Sequence, residues 1–559
     1  MKPLPIGIED FSEFKKNDYY YVDKTLFIKE LLDKKGKANL FTRPRRFGKT
    51  LTLSMLRYYF EEGSDPALFE GRKIMQAGEE YLSYMGQFPV ITLTLKSMKQ
   101  DKEANSLNQL REILASEFKR HRQILQSDLL LPSDKDRYED LMNRRLDVDE
   151  YRNALKFLCD CIREASGKKV ILLIDEYDVP LEHAYYHGYY DHMVDYIRSL
   201  FEGALKTNDS LEFAVITGCL RISKESIFTG LNNMEINSVL SDNYGEYFGF
   251  TENEVEHMLS AYDQRSKFDE VKTWYNGYTF GNTNIYNPWS TIRYVKDHIS
   301  NRKLYPISYW ANTSSNSIIK DLIKRADAPV KAEIESLIQG GSIEKPIHED
   351  ITYGEIYDSQ DNLWNFLFFT GYLKKTSERF DESTQSRYLS MIIPNHEVEY
   401  IYREKVLSWF QERVRLADRT RLFDTMLHGD AEGFEQEINR ILLPTISFYD
   451  FYENFYHGFL AGILTGSDTF IVKSNRESGE GRSDLFVKHL DPEEAGIVIE
   501  MKIASNVKEM DRKAEEALQQ IRDRGYDQEL MEEGYLTTIH YGIAFFKKKC
   551  RVHCSVSHS

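Results

Sequence analysis

One stretch limits what this chain can become more than any other. An apolar run, "ANLFT" (38–42), enters the loop "RPRRFGKT" (43–50), and that loop opens the helical-looking run "KTLTLSMLRYYFEE" (49–62). A loop ending in G-K-T between a strand and a helix is the setting in which backbone N–H groups and a helix N-terminus face phosphates. The usual pattern is G-x-x-x-x-G-K-[ST]; here Arg43 stands in place of the first glycine, and Pro44 removes an amide donor beside it. Gly48 would allow close backbone approach, Lys49 would contact the β- and γ-phosphates, and Thr50 would offer a hydroxyl to Mg²⁺.

Three further apolar, β-branched runs follow in the same half: "FPVITLTL" (88–95), "KVILLIDE" (169–176) and "LEFAVITG" (211–218). Long helical stretches separate them, so the strands must pair in parallel through crossover helices. The fold class is α/β, with a P-loop NTPase-type parallel sheet. Asp175 ends one strand, placing its carboxylate beside the Mg²⁺ held by Thr50. Glu176, next to it, is placed to polarise an attacking water. Thr217, the polar tip of the last run, would sense the γ-phosphate from between these two, and Arg221 and Lys224 beyond it add positive charge. The plainer alternative makes "VILLIDE" a core strand ending in solvated acids and "RPRRFGKT" a basic surface turn. It covers either piece alone but not their order together.

At 559 residues the chain is too long for one core. Pattern changes divide it into a nucleotide-binding domain (1–250), a mostly helical middle or lid region (251–443) and a C-terminal unit (444–559). The longest apolar runs fall far short of a bilayer span, and the start "MKPLPIGIEDF" lacks the apolar core of a signal peptide. The reading is cytoplasmic, with no membrane partner. A net charge of -17 opposes non-specific coating of nucleic acid, though not a local basic groove. Five cysteines suggest neither a disulfide nor a metal. Cys550, His553, Cys554 and His558 match no common zinc spacing, and a frayed tail would hold a metal poorly.

In the C-terminal unit a helical run ("FYDFYENFYHGFLAGILTG") precedes three strand-like runs, "TFIVKSN", "RSDLFVKHL" and "AGIVIEMKI". A charged helix ("KEMDRKAEEALQQIRDRG") follows, and "HYGIAFFKKKCRV" closes as one more strand. Along "IVIEMK", Glu500 and Lys502 share a face while Met501 points the other way. Asp484 opens a run that could pair with it as a hairpin, so two carboxylates could hold Mg²⁺ while the lysine stabilises charge on a phosphate. A surface ion pair between Glu500 and Lys502 is the alternative. The apolar run before Glu500 argues against an exposed edge.

Two resemblances add to this reading. "YYYVDKTLFIKELL" (19–32), "FTRPRRFGKTLTLSML", "LLIDEYDVPL" and "TGCLRISKESIFTGLNN" (217–233) resemble the AAA-ATPase-like family of prokaryotic proteins. In that family an arginine-proline opening of the loop is the rule. The likeness implies ATP binding by Lys49, Thr50, Asp175 and Glu176, with Arg43 and Arg45 as phosphate contacts. "GRSDLFVKHLDPEEAGIVIEMK" (481–502) resembles the PD-(D/E)xK nuclease superfamily, with Ser483 where the motif's proline stands. That likeness implies Asp484 and Glu500 as metal ligands, Lys502 as catalytic, and Glu453 and Gln520 as supporting residues. Together they imply a protein whose ATP site controls Mg²⁺-dependent cleavage of nucleic acid, DNA before RNA, in mobile-element or phage conflict. A homo-oligomer could complete the ATP site. The alternative is a nucleotide-switched regulator that binds nucleic acid or protein through an inactive nuclease fold.

Overall fold

The computed structural model describes residues 1–221, 234–301, 303–311, 319–320, 324, 327–349, 352–356, 359–416, 418–442, 453–465, 468–478 and 481–558. The chain divides into two compact units, one of residues 1–313 with 342–400 and one of 314–341 with 401–559.

In the first unit, β1 (Ala38–Thr42), β2 (Val90–Thr94), β3 (Val170–Asp175), β4 (Leu211–Gly218) and β5 (Met234–Asn237) form one sheet in the order β2-β3-β4-β1-β5. Every pairing in it is parallel. Each residue of β1 and β3 is buried, as expected for a parallel sheet covered on both faces. Helix α1 (Lys49–Phe60) leaves the loop after β1, and α2 (Ala154–Ser166) leads into β3. Helix α3 (Val179–His187) follows β3, and α4 (Tyr190–Leu205) leads into β4. Two features of this order matter for function. β4 lies between β1 and β3, and its register pairs Thr42 with Gly218 and Ile174 with Ile216. The C-terminal tips of the three strands therefore meet at one place.

The stretch 251–443 is mostly helical but also carries strands. A short hairpin, β6 (Tyr278–Phe280) and β7 (Thr283–Ile285), turns at Gly281 and Asn282. β8 (Ile343–Pro346), β9 (Lys374–Asp381) and β10 (Ser386–Ile392) make an antiparallel sheet in the order β8-β10-β9. The apolar run "NLWNFLFFTGYLKK" (362–375) is not one element: helix α5 (Gln360–Phe369) ends part-way along it. Gly371 at φ +90° breaks the helix, and Lys374 already starts β9.

The second unit holds a mixed sheet in sequence order: β11 (Phe470–Ser478), β12 (Gly481–His489), β13 (Gly496–Ile503), β14 (Thr537–Phe546) and β15 (Lys549–His558). All neighbours pair antiparallel except β13 with β14. Helix α6 (Glu453–Leu464) precedes the sheet, and α7 (Met510–Arg524) crosses between β13 and β14. A Cβ on Gly542 would stand 2.2 Å from the Ala514 carbonyl, so only glycine lets α7 lie this close to β14. The tail departs from expectation. "HYGIAFFKKKCRV" contributes to two strands rather than one, and the end taken as frayed is β15, paired with β14 along its length.

Candidate active sites

The loop after β1 turns through two left-handed residues, Arg46 at φ +71° and Gly48 at φ +83°. Gly48 caps α1 with no side-chain hydrogen bond, so the first N–H groups of the helix face the loop's concavity without a side-chain cap. The Lys49 ammonium is buried there and donates to the carbonyls of Arg43 (2.9 Å) and Pro44 (3.0 Å), 3.7 Å from the Cys219 sulfur. These neutral acceptors leave its positive charge uncancelled by direct pairing. The geometry suits an incoming anion.

Arg43 takes a structural part in place of the phosphate contact expected of it. Its side chain is wholly buried and donates to the carbonyls of Thr42 (2.9 Å) and Asn237 (2.7 Å). The guanidinium lies 5.2 Å from the Phe248 ring centre and 5.0 Å from that of Phe280, and burial lowers its pKa to about 9. Arg43 thus fixes the start of the loop to the end of β5. Arg45 pairs with Glu182 of α3. Burial alone would lower the Arg45 pKa, but the Glu182 carboxylate raises it above its ordinary value. Arg46 stacks 4.2 Å over Trp289.

Asp175, buried at the tip of β3, links the loop to β4. Thr50 Oγ1 donates to its Oδ2 at 2.6 Å and Thr217 Oγ1 to its Oδ1 at 2.5 Å. Two hydroxyls and one carboxylate, all hard oxygen donors, make a set that suits Mg²⁺. Glu176 follows in the left-handed region, φ +51°, with Oε2 buried and without a hydrogen-bond partner. Burial raises its pKa, Lys49 draws it down, and Asp175 and Asp178 push it up. Arg221 is half-buried just past β4; residues 222–233, Lys224 among them, lie outside the described residues.

Some site residues carry no motif signal. Asp178 is buried, with Oδ2 accepting from the N–H groups of Cys219 (2.7 Å) and Leu220 (3.1 Å). Its position two residues after Glu176 was the available hint. The loop is also covered from the middle of the chain. Phe47 packs edge-on against Tyr278 (4.9 Å), and a Cβ on Gly371 would come within 3.0 Å of the Pro44 ring. No local pattern in the sequence marks these contacts.

The second site lies on the α7 side of the mixed sheet. Glu500 pairs in register with Gly542 and Lys502 with Ala544, so small residues flank both on the neighbouring strand. Met501 is buried on the opposite face. Asp484 stands one residue beyond the Leu485–Ile499 pair and reaches across to β13. Its Oδ2 accepts from the Met501 N–H at 2.8 Å, while its own N–H donates to Glu500 Oε2 at 3.4 Å. Gln520 of α7 joins the remaining two. Its Nε2 donates to Glu500 Oε1, and its Oε1 accepts from Lys502 Nζ at 2.6 Å. Asp484, Glu500, Lys502 and Gln520 are thereby one hydrogen-bonded group. His457 of α6 holds the Asp484 carbonyl at 3.0 Å. The Glu453 and Ser483 side chains lie outside the described residues. Among the described residues no group of three or more His, Cys, Asp or Glu could hold a metal ion. The donors here are two carboxylates, which suits an ion that keeps much of its water.

Residues 5–228 match the family described as "Predicted AAA-ATPase", and residues 451–555 match the PD-(D/E)XK nuclease superfamily. The chain joins an AAA-ATPase-like domain to a PD-(D/E)XK nuclease-superfamily domain. It is also similar to the "Uncharacterized protein in vnfD 5'region" of Azotobacter chroococcum mcd 1. The two are 26% identical over 541 residues, covering 94% of this chain and 93% of that protein. The likeness therefore spans both domains and the region between. Among the described residues no helix is long and apolar enough to cross a membrane.

Proposed function

We propose that this chain binds ATP with Mg²⁺ at the first site, hydrolyses it, and uses that cycle to control Mg²⁺-dependent cleavage of nucleic-acid phosphodiesters at the second. The observation that carries the first half is the Thr50–Asp175–Thr217 hydrogen-bonded set beside Lys49 and the unpartnered Glu176 oxygen. Lys49 exchanges the loop carbonyls for phosphate oxygens. Thr50 and Asp175 would hold the magnesium, which, when bound, offsets phosphate charge. Thr217, whose hydroxyl now bonds Asp175, would read the terminal phosphate, and Arg221 would add charge beyond it. Glu176 takes a proton from the attacking water; burial makes it a stronger base than an exposed glutamate.

At the second site Asp484 and Glu500 would hold a magnesium ion, with Gln520 fixing the Glu500 oxygen. Lys502 exchanges its Gln520 contact for a scissile phosphate and stabilises the charge that builds there. Domain limits at 1–250, 251–443 and 444–559, a cytoplasmic setting and a preference for DNA belong to the same reading. The experiment is nucleotide binding and nuclease assay of the pure full chain, with and without Mg²⁺. Mg²⁺-dependent cutting that ATP alters supports the proposal. Nucleotide binding without any cutting turns it toward a nucleotide-switched binding protein.

A further inference from the structure

We propose that Tyr177 and Asp178 are positioning residues. They fasten the turn that carries Glu176 to the exit of β4, so that Glu176 and Thr217 respond to nucleotide as one body. The inference rests on the reading of the first site as an ATP site, but the fastening itself can be tested without it.

Four hydrogen bonds join the two segments. The Tyr177 N–H donates to the Thr217 carbonyl at 3.1 Å, and the Tyr177 hydroxyl donates to the Leu220 carbonyl at 2.6 Å. Asp178 Oδ2 accepts from the N–H groups of Cys219 and Leu220. Tyr177 and Asp178 are both buried, so water cannot readily replace these partners. Gly218 lies inside the fastening. A Cβ there would stand 2.5 Å from the Tyr177 ring and 2.9 Å from Asp178 Oδ1, so the two turns meet with no side chain between them.

The fastening also accounts for the backbone of Glu176. A glutamate at φ +51° is strained and persists only where its surroundings over-determine it. Tyr177 and Asp178 fix the chain just after Glu176, while the Leu95 N–H holds the Asp175 carbonyl at 3.0 Å just before it. The strained residue is clamped on both sides.

The contact needs an acceptor rather than a charge. One oxygen, Oδ2, takes both N–H groups, and Oδ1 takes none. An asparagine can put its carbonyl oxygen at the Oδ2 position. If the Asp178 charge instead acted on Lys49 or on magnesium, asparagine would serve no better than alanine.

The test compares Asp178→Ala, Asp178→Asn and Tyr177→Phe in the full chain by amide hydrogen exchange over residues 217–221, ATP affinity and ATP turnover. Asp178→Ala should speed exchange at Cys219 and Leu220 by about tenfold. It should lower turnover by up to about a hundredfold through misplacement of Glu176 and leave ATP affinity nearly unchanged. Asp178→Asn should restore all three, and Tyr177→Phe should lie between. Equal losses in the asparagine and alanine variants would overturn the proposal, as would wild-type exchange in Asp178→Ala. If Asp178→Ala does not fold, Tyr177→Phe decides: turnover lost at constant affinity supports the fastening, and unchanged turnover and exchange overturn it. A wild-type chain that binds no ATP would remove the functional reading instead, and the exchange contrast would still decide the fastening.

Discussion

The two acidic centres are built in different ways. In the first, Asp175 and Glu176 sit where a parallel strand ends, and the Asp175 partners come from the ends of two other elements: Thr50 from the start of α1, behind a loop with two left-handed residues, and Thr217 from the end of β4. In the second, Asp484, Glu500 and Lys502 stand on two adjacent strands, and sheet register with one facing helix positions them. Side-chain hydrogen bonds between the ends of elements, such as those of Thr50, Thr217 and Lys49, can be exchanged when a ligand arrives. A register cannot shift without turning every side chain over. On the proposed function, the first centre is therefore suited to exchanging side-chain contacts with nucleotide state, and the second to holding a fixed geometry for cutting.

Removing a carboxylate from the rigid centre should have the largest effect. Glu500→Ala or Asp484→Ala should reduce Mg²⁺-dependent cleavage by on the order of a thousandfold, as expected when several kcal/mol of charge stabilisation are lost. ATP binding in those variants should match wild type in an equilibrium nucleotide-binding assay. If cutting survives Asp484→Ala in highly purified protein, the nuclease lies elsewhere.

Next comes the adaptable centre. Glu176→Gln keeps the shape but weakens the base, so single-turnover ATP hydrolysis should fall about 10²-fold, the lower end of a general base's contribution, while bound ATP accumulates. Because burial raises the Glu176 pKa, the acid limb of the wild-type rate should lie above the ordinary value of 4.5, since the base is lost at a higher pH than an exposed glutamate would be. The same shift means that the charged form is disfavoured in the folded state. Stability contributed by this group falls as pH rises past its unfolded value, so Glu176→Gln should raise Tm at neutral pH. Lys49→Ala should weaken ATP by on the order of a hundredfold, from the loss of charge-assisted phosphate contacts. Unchanged affinity in that variant, correctly folded, would contradict the loop assignment.

The smallest effect is expected at Gln520. It orients Glu500 and parks Lys502 without supplying charge, so Gln520→Ala should slow cutting by about tenfold. An effect equal to that of Glu500→Ala would mean that the amide does more than orient.

How much was legible in the sequence follows the same contrast. The loop, the Asp175 strand and the Thr217 strand are contiguous motifs, and their order in the chain could be read directly. The burial of Arg43 could not, because its acceptor Asn237 and its aromatic neighbours Phe248 and Phe280 lie about two hundred residues further on. Asp178 reads as one more solvated acid until the exit of β4 is laid beside it. β15 was missed because no glycine or asparagine marks its hairpin: Lys547, at φ +54°, takes the left-handed position. At the second centre the alternation of Glu500, Met501 and Lys502 was readable, whereas the reach of Asp484 across to the Met501 amide depends on a strand register that no local pattern specifies.

The most direct test of the two-centre account is one nuclease titration. Wild type, Glu176→Gln and Glu500→Ala are each incubated with plasmid, linear and single-stranded DNA and with RNA, with and without Mg²⁺ and ATP. The account predicts Mg²⁺-dependent cutting by wild type at a rate that ATP changes. It predicts cutting by Glu176→Gln that stays in its ATP-bound level once ATP is added, and none by Glu500→Ala although that variant still binds ATP. Cutting by wild type that is the same with and without ATP, or cutting that persists in Glu500→Ala, would contradict it.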